Sequence, residues 1–365
     1  MKVIFITREG YRQAGARIRC YNLARQLRSM GFRANVFSFA DDLGAKDGQQ
    51  EYEMSLSDKL RYNMRAWRHL MDEGKGNIFF IQRLNYHAAA PLLACVMRGN
   101  KVIFDCDDWN IREDPRYYWV FPSSKMEYFT RRLAGYADAC IAASLYLEGY
   151  LSPFSRRIYY LPTGVDTDLF TPAGRDADGR IVFFWAGTIF HKEMFENVRF
   201  ILSCFSELAK QRADIYLKIA GYGSYYELIK KDASGAGIRP GRIEFCGWVH
   251  PDDMPARLSG ADIGLLPLIQ DNRFNRAKSP TKLFEYMAMG KPVIASAAGE
   301  ARHILAHGKT GFLASGREEF IYYMRLLCCD EGLRQALGRQ ARESVILDYS
   351  LKAMGDRLVN IINDI

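Results

Sequence analysis

Three aspartates crowd the end of one apolar run: in V-I-F-D-C-D-D, Asp105, Asp107 and Asp108 follow Val102–Phe104. Carboxylates at the carboxyl end of a parallel strand lie at the edge where α/β domains take their ligands. Acids so close repel one another, which costs energy unless a substrate, a metal or a cation uses them. Read as D-x-D, the pattern could hold Mg²⁺ or Mn²⁺ on a diphosphate. No further oxygen ligands are identifiable, which argues against a metal site, and Asp107 and Asp108 stand as the candidate catalytic residues. A second charged segment, T-R-E-G-Y-R-Q-A-G-A-R-I-R, follows the first apolar run, Val3–Ile6. Gly15 there lets backbone approach a ligand closely, and the amides of the helix that follows favour an anion. Arg17 and Arg19 fall in its first turn, where the helix dipole disfavours cations unless an anion offsets them. The spacing is not G-x-G-x-x-G, so it lends little to a nicotinamide dinucleotide site.

The second half carries more. W-A-G-T-I-F-H-K-E puts Gly187 at a strand end and Lys192 five residues on, where a lysine can neutralise a phosphate as a point charge. A glycine pair, Gly221 and Gly223, again follows a strand-like run, although glycines at strand ends are also common turn devices. The most informative segment is K-S-P-T-K-L-F-E-Y-M-A-M-G-K-P, Lys278 to Pro292. Pro280 suits the first position of a helix, since the N–H it lacks would be unsatisfied there anyway. The first-turn amides 280–283 can then meet phosphate oxygens, with Lys282 adding charge. Glu285 lies one turn on, able to accept hydrogen bonds from a ribose or sugar diol. Gly290 ends the helix and Pro292 leads into a strand.

These groups need a scaffold that brings strand ends to one edge. Short β-branched and aromatic runs alternate with amphipathic stretches along the whole chain, predicting strands at 3–7, 34–39, 78–82, 102–105, 139–142 and 158–161. The pattern restarts at 181–185, 216–220, 243–246, 263–267, 293–296 and 311–313. Between them, stretches such as 17–30 and 197–211 repeat apolar residues every three and four. Strands alternating with helices imply parallel sheets covered on both faces. The fold class is therefore α/β, with two doubly wound Rossmann-like domains facing a central cleft. The first is expected over 1–164 and the second over 165–349. A helix over 350–365, with Leu351, Met354, Leu358 and Ile361 on one face, can cross back to the first domain. The aperiodic stretch Thr163–Gly179 reads as the connection, and residues 40–57 as a loop.

Composition narrows the function classes. In 365 residues, 48% are hydrophobic and 25% charged, which excludes disorder as the main state. No apolar run approaches the ~18 residues that span a bilayer, and the apolar start is too short for a signal-peptide core. Eight scattered cysteines with no C-x-x-C pair argue against a disulfide scaffold or a zinc knuckle. Residues 1–164 hold 24 Lys and Arg against 17 Asp and Glu, a balance of +7, whereas the rest of the chain is at +1. The first half therefore faces something anionic, and the absence of a nucleic-acid recognition motif removes nucleic acid from the choices. In 58–72, Leu60, Met64, Trp67 and Met71 form one helical face, flanked by Arg61, Arg65 and Arg68. That suits an interfacial helix on anionic lipid, and equally a core-facing helix with a solvated basic side.

The segments S-P-T-K-L-F-E-Y-M-A-M-G-K-P-V-I-A-S, L-P-T-G-V-D-T-D-L-F-T-P, I-A-G-Y-G-S, F-C-G-W-V-H-P-D-D-M and A-D-I-G-L-L-P-L carry a resemblance. In order and spacing they resemble GT-B-fold glycosyltransferases of family 4 (group 1), of the bacterial surface-polysaccharide type. The resemblance implies a retaining, metal-independent hexosyltransferase that needs no cofactor beyond its nucleotide-diphosphate-sugar co-substrate. The acceptor would be a glycan or a lipid-linked molecule, as in lipopolysaccharide, capsule or exopolysaccharide synthesis. The second half would bind the donor and the first the acceptor. The composition, the positive balance of the first half and the basic 58–72 helix add the expectation of a cytoplasmic setting, peripheral on the inner face of the plasma membrane. Lys192 would bind the donor diphosphate and Glu285 the ribose, while Gly15 and Arg19 match a glycine-rich first loop approaching the phosphates. Asp107 falls where many relatives place a histidine facing the reacting sugar. Two positions depart from the pattern: Ala277 stands where relatives often have a glutamate, and Thr188 where they often have an arginine. Lys278 or Lys282 would then supply the missing charge. A nucleotide-sugar epimerase of the same fold, or a sugar-nucleotide-binding scaffold, are the competing readings.

Overall fold

The computed structural model describes residues 1–47, 54–109, 127–174 and 179–365. The chain divides into two compact units, one of Met1–Gly164 with Ala277–Ser279 and Leu351–Ile365, the other of Val165–Arg276 with Pro280–Ser350. Parts of the expected 40–57 loop and of the 163–179 connection lie outside the described residues. No described helix is long and apolar enough to cross a membrane.

The first unit runs β1 (Val3–Thr7), α1 (Ala14–Ala16), α2 (Leu23–Ser29), β2 (Ala34–Ser38), α3 (Leu56–Met71), β3 (Ile78–Gln82), α4 (Ala89–Arg98), β4 (Lys101–Cys106), α5 (Glu127–Tyr136), β5 (Ala139–Ala142), α6 (Leu145–Leu151) and β6 (Ile158–Tyr160). Its parallel sheet has the order β2-β1-β3-β4-β5-β6. β1 and β3, both V/I/F-rich, are buried at every position, as strands covered on both faces must be. Chain order reverses between β1 and β3, and the crevice outside the carboxyl ends at such a switch point is where open α/β sheets take ligands.

The second unit runs β7 (Ile181–Thr188), α7 (Lys192–Ala209), β8 (Ile215–Tyr222), α8 (Tyr226–Gly235), β9 (Ile243–Gly247), α9 (Met254–Ser259), β10 (Ile263–Leu266), α10 (Arg273–Ala277), α11 (Thr281–Ala288), β11 (Val293–Ser296), α12 (Ala301–Ile304), β12 (Phe312–Ala314), α13 (Arg317–Cys329) and α14 (Glu331–Asp348). The sheet order is β12-β11-β10-β7-β8-β9, again parallel, with its switch point between β7 and β10. The last helix, α15 (Leu351–Asp364), belongs to the first unit. It lays Met354, Leu358, Ile361 and Ile362 into the core that Leu23 and Leu27 of α2 share with Val3, Phe5, Ile78 and Phe80. Burying each such side chain stabilises by about 1.5–3 kcal/mol. Arg157 and Tyr159 bind Asp364 at the helix end, and Lys101 binds the Ile365 carbonyl.

All twelve expected strands are present. The first helical stretch differs: α1 starts at Ala14, and Arg17–Asn22 between α1 and α2 is a π-helix. Pro280 occupies the N-cap of α11 rather than its first turn. A proline has no N–H to leave unsatisfied at either place, so the sequence signal could not choose between them.

Candidate functional site

In the first unit, the carboxyl ends of β1, β3 and β4 bring together Glu9, Arg83, Asp105, Asp107 and Asp108. Register explains the meeting: Gln82 pairs with Asp105 across β3 and β4, so the residues just beyond both face one edge. Asp105 is fully buried and is spent on Arg19, whose Nε donates to Oδ2 at 3.0 Å and whose Nη2 donates to Oδ1. The remaining Arg19 nitrogen, Nη1, donates to the Leu161 carbonyl at 2.7 Å and the Pro162 carbonyl at 3.2 Å. This corrects the expectation that Arg19 is open to a donor phosphate. The anion that offsets its charge is internal, and the guanidinium ties β4 to the end of β6. Burial pushes the Asp105 carboxyl up to about 6 even with Arg19 against it.

Asp107 is also held. Arg83 Nε donates to its Oδ1 at 2.5 Å, while Arg83 Nη2 and Gln82 Nε2 donate to Oδ2 at 3.0 and 2.9 Å. Burial pushes the Asp107 carboxyl up, but Arg83 outweighs it and leaves the group below the usual carboxylate value. Asp108 differs: its Oδ1 accepts the Trp109 N–H at 2.8 Å, and Oδ2 stands 4.0 Å from Arg83 Nη2. Burial raises its pKa, against the lowering effect of Arg83 and Lys278. A Cβ at Gly15 would stand 2.9 Å from Arg83 Nη2, so a side chain there would push the guanidinium aside. Sequence reasoning missed Arg83, Glu9 and Gln82. The available signal was a polar Q-R pair directly after the wholly apolar I-F-F-I. Among the described residues, no group of three or more His, Cys, Asp or Glu is arranged to hold a metal ion.

In the second unit, Gly187 is the penultimate residue of β7 at the switch point, and Lys192 is the exposed first residue of α7. Gly221, across from Gly187 in register, lies so close that a Cβ would collide with the Gly187 carbonyl. Gly223, at φ +146°, packs directly on the Ile189 backbone. The close approach of these glycines is thus between strand ends of the same sheet. In α11, Leu283 N–H donates to the Pro280 carbonyl at 2.9 Å, so of the expected amides 280–283 only those of Thr281 and Lys282 lie outside that bond. Lys282 Nζ donates to the buried Glu285 at 2.8 Å. Tyr286, fully buried beside it, accepts the Ala186 N–H at 3.0 Å and so fixes α11 to the end of β7. The edge offers a helix N-terminus, two lysines and a carboxylate, which can hold a diphosphate and a diol. Lys278 and Ser279 belong instead to the first unit, where Ser279 Oγ accepts the Thr163 N–H at 2.8 Å.

The third set of candidates lies on α3. The helix buries Ala66 and Leu70 and leaves Leu60 and Met64 exposed, at 57% and 56%. Trp67 and Met71 on the same face are half-buried, so the face is divided between solvent and the unit. Arg61 pairs with Asp58, Arg65 donates to the Leu43 carbonyl and Arg68 is exposed. Trp67 is half-buried, its indole N–H without a hydrogen-bond partner. Leu93, Val96 and Met97 of α4, which packs on α3, are exposed too.

Residues 180–330 match the family described as Glycosyl transferases group 1. A GDP-mannose-dependent alpha-(1-6)-phosphatidylinositol monomannoside mannosyltransferase of Mycobacterium tuberculosis is 27% identical over 254 residues, 64% of this chain and 63% of that protein. The chain therefore spans just under two thirds of the length of this relative. A putative teichuronic acid biosynthesis glycosyltransferase of Bacillus subtilis is 27% identical over 56% of this chain and 52% of its own. Among solved structures, the Anabaena protein HepE in complex with UDP and glucose superposes with a TM-score of 0.72 at 14% identity, covering 100% of both chains. Residues 180–330 are thus similar to the group 1 glycosyltransferases, and the chain as a whole has the GT-B fold of two parallel six-stranded sheets.

Proposed function

We propose that the chain is a glycosyltransferase that moves a sugar from a nucleotide-diphosphate sugar to a glycan or lipid-linked acceptor, with retention and without a metal. The observation that carries the reading is α11, which sets Lys282 and Glu285 beside the end of β7 within the segment shared with the family. In this reading Lys192 and the α11 amides hold the diphosphate, and Glu285 holds the ribose. Fixed positive charge there stabilises the departing diphosphate and needs no metal. The acceptor class is supported by the names of the relatives, which act on a phosphatidylinositol mannoside or in teichuronic acid synthesis. Asp107 and Asp108 belong to the acceptor-side edge, and the exposed face of α3 with Arg61, Arg65, Trp67 and Arg68 attaches the chain to an anionic membrane surface.

The test is a thermal-shift panel of UDP, GDP, ADP, CMP and dTDP, each with EDTA and with Mg²⁺. A nucleotide at 100 times its dissociation constant stabilises by about 2.7 kcal/mol. The expected outcome is a shift with one nucleotide that survives EDTA and is lost in Glu285→Ala. A full shift in that variant overturns the ribose assignment. Ala277 and Thr188 favour one other reading, a scaffold that binds the nucleotide and does not turn over its sugar; binding without any sugar release would select it.

A further inference from the structure

Asp107 and Asp108 are neighbours in sequence but not in circumstance. The Asp107 side chain is 4% exposed, and three donors occupy its two oxygens. A carboxylate gripped in that way has little left to offer a substrate. Asp108 is 23% exposed, and its Oδ2 is beyond hydrogen-bond distance of the nearest guanidinium nitrogen. What separates the two is Arg83. It carries φ +60°, the one positive value on a non-glycine residue among the described residues. That costly backbone is held by its N–H, which donates to the Asp105 carbonyl at 2.8 Å, while the guanidinium end lies over Gly15. The conformation turns the guanidinium fork onto Asp107 and leaves Asp108 at 4.0 Å and Glu9 at 3.9 Å on its flanks.

We propose that Arg83 is a positioning residue that divides the labour of the two aspartates, fixing Asp107 as an anchor and leaving Asp108 as the carboxylate that accepts a hydrogen bond from a hydroxyl of the sugar substrate. The assignment rests on the glycosyl-transfer reading above and goes beyond it. A bidentate fork is needed because a point charge on Asp107 would not fix the carboxylate plane. Among the described residues, the groups facing Asp108 are Arg83 at the end of β3, Lys278 from the 277–279 segment, Asp107 on its own strand end and the Trp109 N–H; Glu9 faces Arg83 from the end of β1. Burial raises the Asp108 pKa against Arg83 and Lys278, whereas Arg83, which also hydrogen-bonds Asp107, holds that carboxyl below its usual value.

The experiment uses the full chain with UDP-glucose or GDP-mannose, whichever nucleotide stabilises it, and follows sugar release against pH. Asp108→Asn is expected to lower turnover by about 100-fold or more with nucleotide affinity and Tm nearly unchanged. Asp107→Asn is expected to lower Tm by several degrees, with a smaller loss of turnover. In Arg83→Gln the acidic limb of kcat/KM moves up by about half a pH unit or more, because the cation that favours ionised Asp108 is gone. Arg83→Lys keeps that limb in place but lowers turnover, because a point charge does not hold the Asp107 carboxylate plane. A near-normal Asp108→Asn, an Asp107→Asn that is inactive at unchanged Tm, or a limb that does not move in Arg83→Gln overturns the proposal. Should the wild type release no sugar from any donor, the transfer reading fails on its own. The carboxyl carbons of ¹³C-labelled aspartate then decide the rest: Asp108 titrating above Asp107 and moving up in Arg83→Gln supports the division, and a common titration overturns it.

Discussion

Arg19 illustrates how a residue can be read correctly as charged and out of place, yet belong to the fold. Its position near a helix start implied an anion, and the anion is Asp105, 86 residues away. Both side chains are almost wholly buried, at 3% and 0%. Such a pair adds little over an apolar filling, but removing one member strands the other charge in the interior. Arg19→Met is therefore expected to destabilise by about 3–5 kcal/mol in urea unfolding. A loss under 1 kcal/mol would place the charge of Asp105 elsewhere. The residue types at this edge were visible in the sequence, and Asp105, Asp107 and Asp108 were legible as an unusual cluster. Their partners were not. Arg83 lies 24 residues from Asp107, and only the pairing of β3 with β4 brings them together.

Elements were more legible than partners, because a strand announces itself through its own residues. All twelve strands followed from β-branched and aromatic runs, and the site glycines fell at the strand ends named for them. Surface helices were harder. On α3 the sequence marks an apolar face through Leu60, Met64, Trp67 and Met71, but the unit buries Ala66 and Leu70, half-buries Trp67 and Met71 and leaves Leu60 and Met64 outside. An amphipathic pattern fixes the faces of a helix and not which of them meets the core. The face left outside, with Leu60, Met64 and the exposed α4 residues Leu93, Val96 and Met97, argues for flotation with vesicles that contain anionic lipid. Replacing Leu60 and Met64 together by glutamate is expected to abolish flotation while leaving the fold intact, since both are already in solvent. Equal flotation of the double variant would remove this helix from any membrane contact.

At the scale of the molecule, the chain is not two units in succession. Unit one encloses both ends of the described chain, and α15 fills a core begun by β1. Deleting Leu351–Ile365 should therefore damage the unit farther away in sequence. Hydrogen exchange is expected to show lost protection in β1–β6 with β7–β12 unaffected; uniform loss would mean that the two units do not unfold independently. The same helix bears on the order of events during synthesis. The ribosome releases β1 first, yet the surface that Met354, Leu358, Ile361 and Ile362 will cover waits until residues 165–350 have been made. At roughly 5–20 residues per second, that is about 10–40 s in which a nascent apolar face stands open to chaperones and to other chains.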